Sequence, residues 1–131
     1  MKKMILLFSL LLLSGCYLAN GSPPSFRFWI APEGISEEQE KKISHDCDKK
    51  AYNMLDESQK RLFDKGDTSW EEIYKNKNEY KRYREVTRLN EKYYEQCLYD
   101  SGFRFRPPLV WCLAQDGDNT KICMENMKYR N

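Results

Sequence analysis

The sequence predicts a mainly α protein: a helical hairpin or small bundle, stapled by disulfides and closed by a short C-terminal β-hairpin or irregular cap. Three observations predict it. Apolar residues recur at steps of three and four over two long stretches, 36–66 and 68–98. Helix-start patterns of the S/T-x-x-E/Q type stand at the head of both. Five cysteines occur in a chain of 131 residues, a length that suits one domain. The formal charge of +2 excludes a nucleic-acid binder driven by excess positive charge, since such domains are far more basic.

Residues 1–15 read as an export signal. Lys2 and Lys3 form a positive n-region, Met4 to Leu13 is an apolar run broken by Ser9, and Ser14 and Gly15 are small. The run is short of the roughly 20 residues a transmembrane helix needs. Leu13-Ser14-Gly15-Cys16 resembles the lipobox of bacterial lipoproteins. That resemblance implies cleavage after Gly15, a thioether-linked diacylglycerol on Cys16 and acylation of the new amino group. It also implies transport to the outer membrane, because Tyr17 stands where an inner-membrane lipoprotein carries Asp. An ordinary secretory cut is disfavoured, since Tyr17-Leu18-Ala19 lacks the small-x-small pattern.

Removing the signal changes the arithmetic. The chain from Cys16 onward has 116 residues with 20 basic and 20 acidic side chains, so its net charge is zero. Leu, Ile, Val and Phe number 19 there, and nine Tyr and three Trp supply the large rings. A small, aromatic-heavy core follows, marginal without staples at this size. With Cys16 lipidated, Cys47, Cys97, Cys112 and Cys123 remain, an even number that reads as two disulfides in an exported protein. Metal is the rival reading, but there is no C-x-x-C spacing and His45 is the sole histidine.

Residues 16–25 are the lipidated N-terminus and a polar tether, and 26–131 a single small helical domain. Phe26-Arg27-Phe28-Trp29-Ile30 is an edge strand or an aromatic strap, ended by Pro32 and Gly34. Ser36-Glu37-Glu38-Gln39 is a capping box. Ile43, Cys47, Ala51, Met54, Leu55, Leu62 and Phe63 form one buried stripe after it, and Gly66 is the expected stop. Thr68 with Glu71 and Ser69 with Glu72 give two overlapping starts for a second helix. Trp70, Ile73, Tyr80, Tyr83, Val86, Leu89, Tyr93, Tyr94 and Cys97 mark its apolar side, with Gly102 as its terminator. Its seven acidic and seven basic residues over 71–100 make Lys81-Arg82-Tyr83-Arg84 a solvated face rather than a phosphate patch.

Phe103-Arg104-Phe105-Arg106 alternates and is a candidate partner for the 26–28 segment. Leu109-Val110-Trp111-Cys112-Leu113 reads as a strand, Gln115-Asp116-Gly117-Asp118-Asn119 as a turn, and Lys121-Ile122-Cys123-Met124 as a return strand or helical turn. The tail after Met127 is expected to fray. A hairpin here sets Cys112 opposite Cys123, which leaves Cys47 to pair with Cys97. Straight helices meeting at Gly66-Asp67 would leave those two about 15 Å out of step at 1.5 Å per residue. The pairing therefore requires a break between about Gly66 and Asn78.

No common catalytic constellation is present: G-x-S-x-G, H-E-x-x-H and Gly-rich phosphate loops are all missing. His45 near Cys47 suggests a Cys–His pair that a disulfide at Cys47 forbids. Counting an EF-hand from Asp116 places Lys121 and Met127 where Gly and Glu belong. No catalytic residue, metal ligand or cofactor is assigned. The layout resembles small Gram-negative envelope lipoproteins, including the segment Cys97-Leu98-Tyr99-Asp100-Ser101-Gly102-Phe103.

The expected function is a non-enzymatic, outer-membrane-anchored lipoprotein. Its partners are the membrane, through the Cys16 lipid, and an envelope protein, with no nucleic acid. The alternatives are an inhibitor or exclusion factor binding a phage, plasmid or host protein, and a wall-sugar hydrolase. Phe26, Phe28, Trp29, Phe103 and Phe105 are candidates for either core or an exposed partner surface.

Overall fold

A computed structural model describes residues 21–115 and 117–131. The signal peptide, Cys16, most of the tether and Asp116 lie outside the described residues. The protein is mainly helical, with one short two-stranded antiparallel sheet and two disulfides. The described residues group into two compact units, 31–103 and 21–30 with 104–131. Each holds one disulfide.

The unit 31–103 consists of α1 (Glu37–Asn53), α2 (Glu57–Thr68), α3 (Trp70–Lys75) and α4 (Lys77–Asp100). Ser36 starts α1 with the full capping box: its hydroxyl accepts from Gln39 N at 3.2 Å, and Gln39 Oε1 accepts from Ser36 N at 2.8 Å. The expected single helix to Gly66 is broken at 54–56. Asp56 there forms a second capping box with Gln59, through bonds of 2.8 and 2.9 Å. That box satisfies the amide groups that a break exposes, so the chain can restart at little cost. Met54, expected on the buried stripe, is 53% exposed as the C-cap of α1, whereas Leu55 is buried.

Gly66 does not stop its helix; α2 continues to Thr68. Its small size has a different use. A Cβ at this position would collide with the edge of the Tyr83 ring, so Gly66 makes room on α2 for the Tyr83 side chain of α4. The overlapping caps at Thr68 and Ser69 do not form either, as Ser69 makes no side-chain bond to α3. Asn76 is the functional cap: its Oδ1 accepts from Asn78 N at 3.2 Å and Glu79 N at 3.1 Å, starting α4.

These breaks remove the expected mismatch between Cys47 and Cys97. Cys47 lies 21 residues before Thr68, the end of α2, and Cys97 lies 20 residues after Lys77, the start of α4. Residues 69–76 form the turn between the two arms. The arms are equal to within one residue, and the disulfide closes with Cα atoms 5.5 Å apart. Both α1 and α2 pack on α4. The hydrophobic cluster between them is Leu55, Leu62, Ile73 and Val86, ringed by Tyr52, Phe63, Tyr80, Tyr83, Leu89 and Tyr93. Ser44 and Tyr94 hydroxyls add a 2.7 Å bond between α1 and α4.

Gly102 ends α4 at φ +96°. Phe103 N donates to Leu98 O at 3.0 Å and Gly102 N to Tyr99 O at 3.0 Å, the two bonds of a Schellman motif. Leu98 and Phe103, the two apolar positions of that motif, are both buried.

In the other unit, a 3₁₀ turn (Ser25–Phe28) leads into β1 (Trp29–Ile30), which pairs with β2 (Arg104–Phe105) in the register Trp29↔Phe105, Ile30↔Arg104. Arg106 N extends the ladder by donating to Phe28 O at 2.8 Å. The end of the aromatic strap, Trp29–Ile30, thus pairs with Arg104–Phe105, whereas Phe26–Phe28, the expected partner, lies in the 3₁₀ turn before the strand. The expected C-terminal β-hairpin is absent from the described residues. Residues 109–112 form the helical turn α5 (Leu109–Cys112), and the return segment is α6 (Asn119–Asn126). A strand would place Leu109, Trp111 and Leu113 on one face. The helical turn instead buries Trp111 alone, with its Nε1 donating to Pro23 O at 2.6 Å.

Cys112 and Cys123 bridge these two helices, with Thr120 Oγ1 donating to Cys112 O at 2.7 Å. The tail is not frayed: Met127–Tyr129 is a 3₁₀ turn, and Tyr129 is buried 5.6 Å from the Trp29 ring. Trp29, Phe105, Trp111 and Tyr129 form this unit's core, with Trp29–Phe105 centroids 5.5 Å apart and Phe105–Trp111 6.3 Å apart.

The close approach at Gly66 gives a sign test. In the intact protein Gly66→Ala overpacks against Tyr83, costing more than the roughly 1 kcal/mol of helix propensity it gains, so it destabilises by about 1 kcal/mol. In a Tyr83→Ala background the same substitution stabilises by about 1 kcal/mol. Urea unfolding of the four proteins measures both; a stabilised Gly66→Ala single variant contradicts the packing.

Candidate functional site

Ser69 turns the chain with φ −143° and ψ 41°, and this sets the face that α3 presents. Ile73 points fully into the core, and Trp70 and Tyr74, one helical turn apart and rotated away from it, stay in solvent at 46% and 65% exposure. Asn76 then reverses the path and brings Tyr80 and Tyr83 of α4 against Trp70. Ring centroids lie 5.9 Å from Trp70 to Tyr80, 5.5 Å to Tyr83 and 6.2 Å to Tyr74, with Tyr74–Tyr80 at 5.6 Å. Three of these four contacts are edge-to-face, the arrangement that ring quadrupoles favour. Trp70 was expected in the core. The spacing of Trp70 and Ile73 gives no warning, since residues three apart share a helix side; the exposure follows from the break at Asn76, which ends α3 after six residues.

The corner is braced by Lys65 of α2. Its Nζ lies 2.8 Å from Glu79 of α4 and 3.5 Å from Glu72 of α3. The hydrogen bond to Glu79 raises the Lys65 pKa above its ordinary 10.5, and the nearby charges of Glu79 and Glu72 add to this. Across the same unit, Tyr52 donates to Asp64 Oδ2 at 2.8 Å, and that bond raises the phenol above its ordinary 10.0. A cluster of four aromatic rings, two of them exposed, is suited to holding another protein: Trp and Tyr are prominent among the residues that carry binding energy at interfaces.

The other expected site residues fall elsewhere. Cys16 lies outside the described residues. Cys47, Cys97, Cys112 and Cys123 are all in disulfides, so Cys47 cannot serve His45 as a nucleophile, and His45 is exposed. Trp29, Phe103 and Phe105 are buried, Phe28 is half-buried against Trp111, and Phe26 is 65% exposed. A cavity of about 350 Å³ is lined by Asp48, Lys49, Tyr52, Asn53, Phe63 and Asn90, with Asp48 the one carboxylate in its wall. A second groove, of about 280 Å³, lies between α5 and α6. Among the described residues no group of three or more His, Cys, Asp or Glu could hold a metal ion, and no helix is long and apolar enough to cross a membrane.

Comparison with protein-family models, with curated proteins and with solved structures finds no match for the chain.

The raised pKa values set an alkaline limit. Both groups hold their protons more tightly when folded, so their contribution is present at neutral pH and is lost as pH rises through the folded values. Urea midpoints are therefore expected to fall as pH rises past the ordinary values of the two groups, 10.0 and 10.5. Lys65→Met combined with Tyr52→Phe lowers stability at neutral pH and flattens that fall. A double variant with an unchanged alkaline slope contradicts the two assignments.

Proposed function

We propose that the protein is a lipid-anchored envelope lipoprotein, tethered at the outer membrane through Cys16, that acts by binding another envelope protein rather than by catalysis. The observation that carries the binding half is the corner where exposed Trp70 and Tyr74 stand against half-buried Tyr80 and Tyr83. Large rings held rigid at low entropy cost and left in water are what an interface hot spot needs before its partner arrives. The lipobox resemblance of Leu13-Ser14-Gly15-Cys16 supports the anchor, and two disulfides suit an oxidising compartment. The Trp70 corner sits in a unit whose 17 acidic and 14 basic side chains give it a formal charge of −3, so the partner surface is expected to be basic.

Two measurements test the two halves separately. Labelled palmitate is expected to enter the wild-type chain and not Cys16→Ala; label in the variant contradicts the anchor. A photo-crosslinking residue at position 74 is expected to give one discrete envelope-protein adduct in cells, lost on Trp70→Ala while the fold is kept. Equal crosslinking from position 74 and from an exposed α1 position such as Lys41 contradicts the aromatic corner as the contact.

A further inference from the structure

The zero net charge of the chain from Cys16 onward conceals a division. Residues 21–30 and 104–131 carry Arg27, Arg104, Arg106, Lys121, Lys128 and Arg130 against Asp116, Asp118 and Glu125, a formal +3 that balances the −3 of residues 31–103. The same basic unit carries a concentration of exposed aliphatic side chains. Leu109, Val110 and Leu113 are 72%, 62% and 64% exposed, and Met124 and Met127 are 72% and 56% exposed. Four of these five line one groove between α5 and α6, together with Pro107 and Arg130. A contiguous apolar groove with one cation, Arg130, in its wall and further exposed cations in the same unit marks a surface that is covered in use.

The chain length says what covers it. Trp111 Nε1 holds the carbonyl of Pro23 at 2.6 Å, which fixes residue 23 on α5. Cys16 lies seven residues earlier, so a fully extended chain places it within about 25 Å of that point. If Cys16 bears acyl chains, the apolar groove is held within one short tether of the bilayer. Five of the six cations of this unit are exposed: Arg27, Arg106, Lys121, Lys128 and Arg130. Cations near an anionic leaflet are attracted to it within about a Debye length, and apolar side chains entering the headgroup boundary add to that.

We infer that the unit containing α5 and α6 seats on the anionic phospholipid surface to which Cys16 tethers the chain. Leu109, Val110, Leu113, Met124 and Met127 enter the headgroup–acyl boundary, and Arg130 with the other exposed Arg and Lys side chains of the unit engages lipid phosphates. This rests on the proposed anchor for its proximity, but the charge and the apolar face belong to the folded unit itself. Seating would convert a one-point tether into a two-point attachment, in which the second contact is strengthened by effective concentration.

The methionines provide a built-in readout. The full-length lipidated protein is reconstituted in phosphatidylethanolamine–phosphatidylglycerol vesicles and footprinted with hydroxyl radicals, with palmitate labelling scored on the same preparation. Met124 and Met127 are expected to be oxidised about fivefold more slowly than in detergent-free Cys16→Ala protein without lipid, while Met54, 53% exposed in the other unit, is unchanged. Lys121→Glu with Lys128→Glu, or replacing phosphatidylglycerol by phosphatidylcholine, is expected to abolish most of the protection. Labelled protein whose Met124 and Met127 oxidise as fast on vesicles as in solution overturns the inference and leaves the anchor standing. Unlabelled protein whose two methionines are protected when anionic vesicles are added upholds the inference and removes the anchor. Protection that rises with protein concentration in the absence of lipid overturns it in favour of a second copy of the chain.

Discussion

The disulfide between Cys47 and Cys97 is the constraint on which the helical unit depends. It demands that two cysteines 50 residues apart meet with their Cα atoms 5.5 Å from each other. Helices are stiff rods of fixed rise, so this is a condition on where the chain turns. The breaks at Ser69 and Asn76 meet it by giving 21 residues to one arm and 20 to the other, with α3 as the cross-piece. The bridge closes a long loop and stabilises by about 4 kcal/mol in the chain-entropy account, against about 3 kcal/mol for the shorter Cys112–Cys123 loop. For a unit whose cluster is four aliphatic residues ringed by tyrosines and a phenylalanine, that is a large share of the few kcal/mol a small domain retains.

The turn that satisfies the disulfide also creates the aromatic corner. A six-residue cross-piece cannot bury every large side chain, and Ile73 takes the core position. Trp70 and Tyr74 are left outside, where α4 returns to brace them with Tyr80 and Tyr83. Fold and proposed binding surface thus follow from one geometric demand. The second disulfide works at a smaller scale. It locks α5 to α6 and thereby keeps Leu113 and Met124 exposed along one groove, which side chains free to collapse on each other would close.

Much of this was legible in the sequence, and the failures have physical causes. Ser36-Glu37-Glu38-Gln39 announces a cap that forms. The cysteine pairing follows in the sequence from a hairpin at 112–123 that is two helices in the structure, so the pairing is right on a wrong local geometry. The need for a break follows from the helical rise. Asp56-Glu57-Ser58-Gln59 carries the same cap chemistry, but the apolar spacing through Met54 and Leu55 runs across it, and periodicity alone hides a break that preserves phase. Gly66 looked like a terminator because glycine serves both as a stop and as a point of close approach, and only the position of Tyr83 separates the two. Leu109 to Leu113 was ambiguous between strand and helix because a five-residue apolar run has no period to measure; the need to bury one indole and satisfy its N–H decided it. Trp70 was misplaced because hydrophobic type was read as burial. The division of charge was invisible in the total, since it depends on knowing that residues 21–30 group with the C-terminal segment.

The account as a whole stands on the pairing of the four cysteines. Proteolysis of the protein under non-reducing conditions, followed by mass mapping of linked peptides, reads that pairing directly. Peptides joining Cys47 to Cys97 and Cys112 to Cys123 are expected, and both links are expected to disappear on reduction. A peptide joining Cys47 to Cys112 or to Cys123 would contradict the matched arms, the turn at 69–76 and the corner built on it.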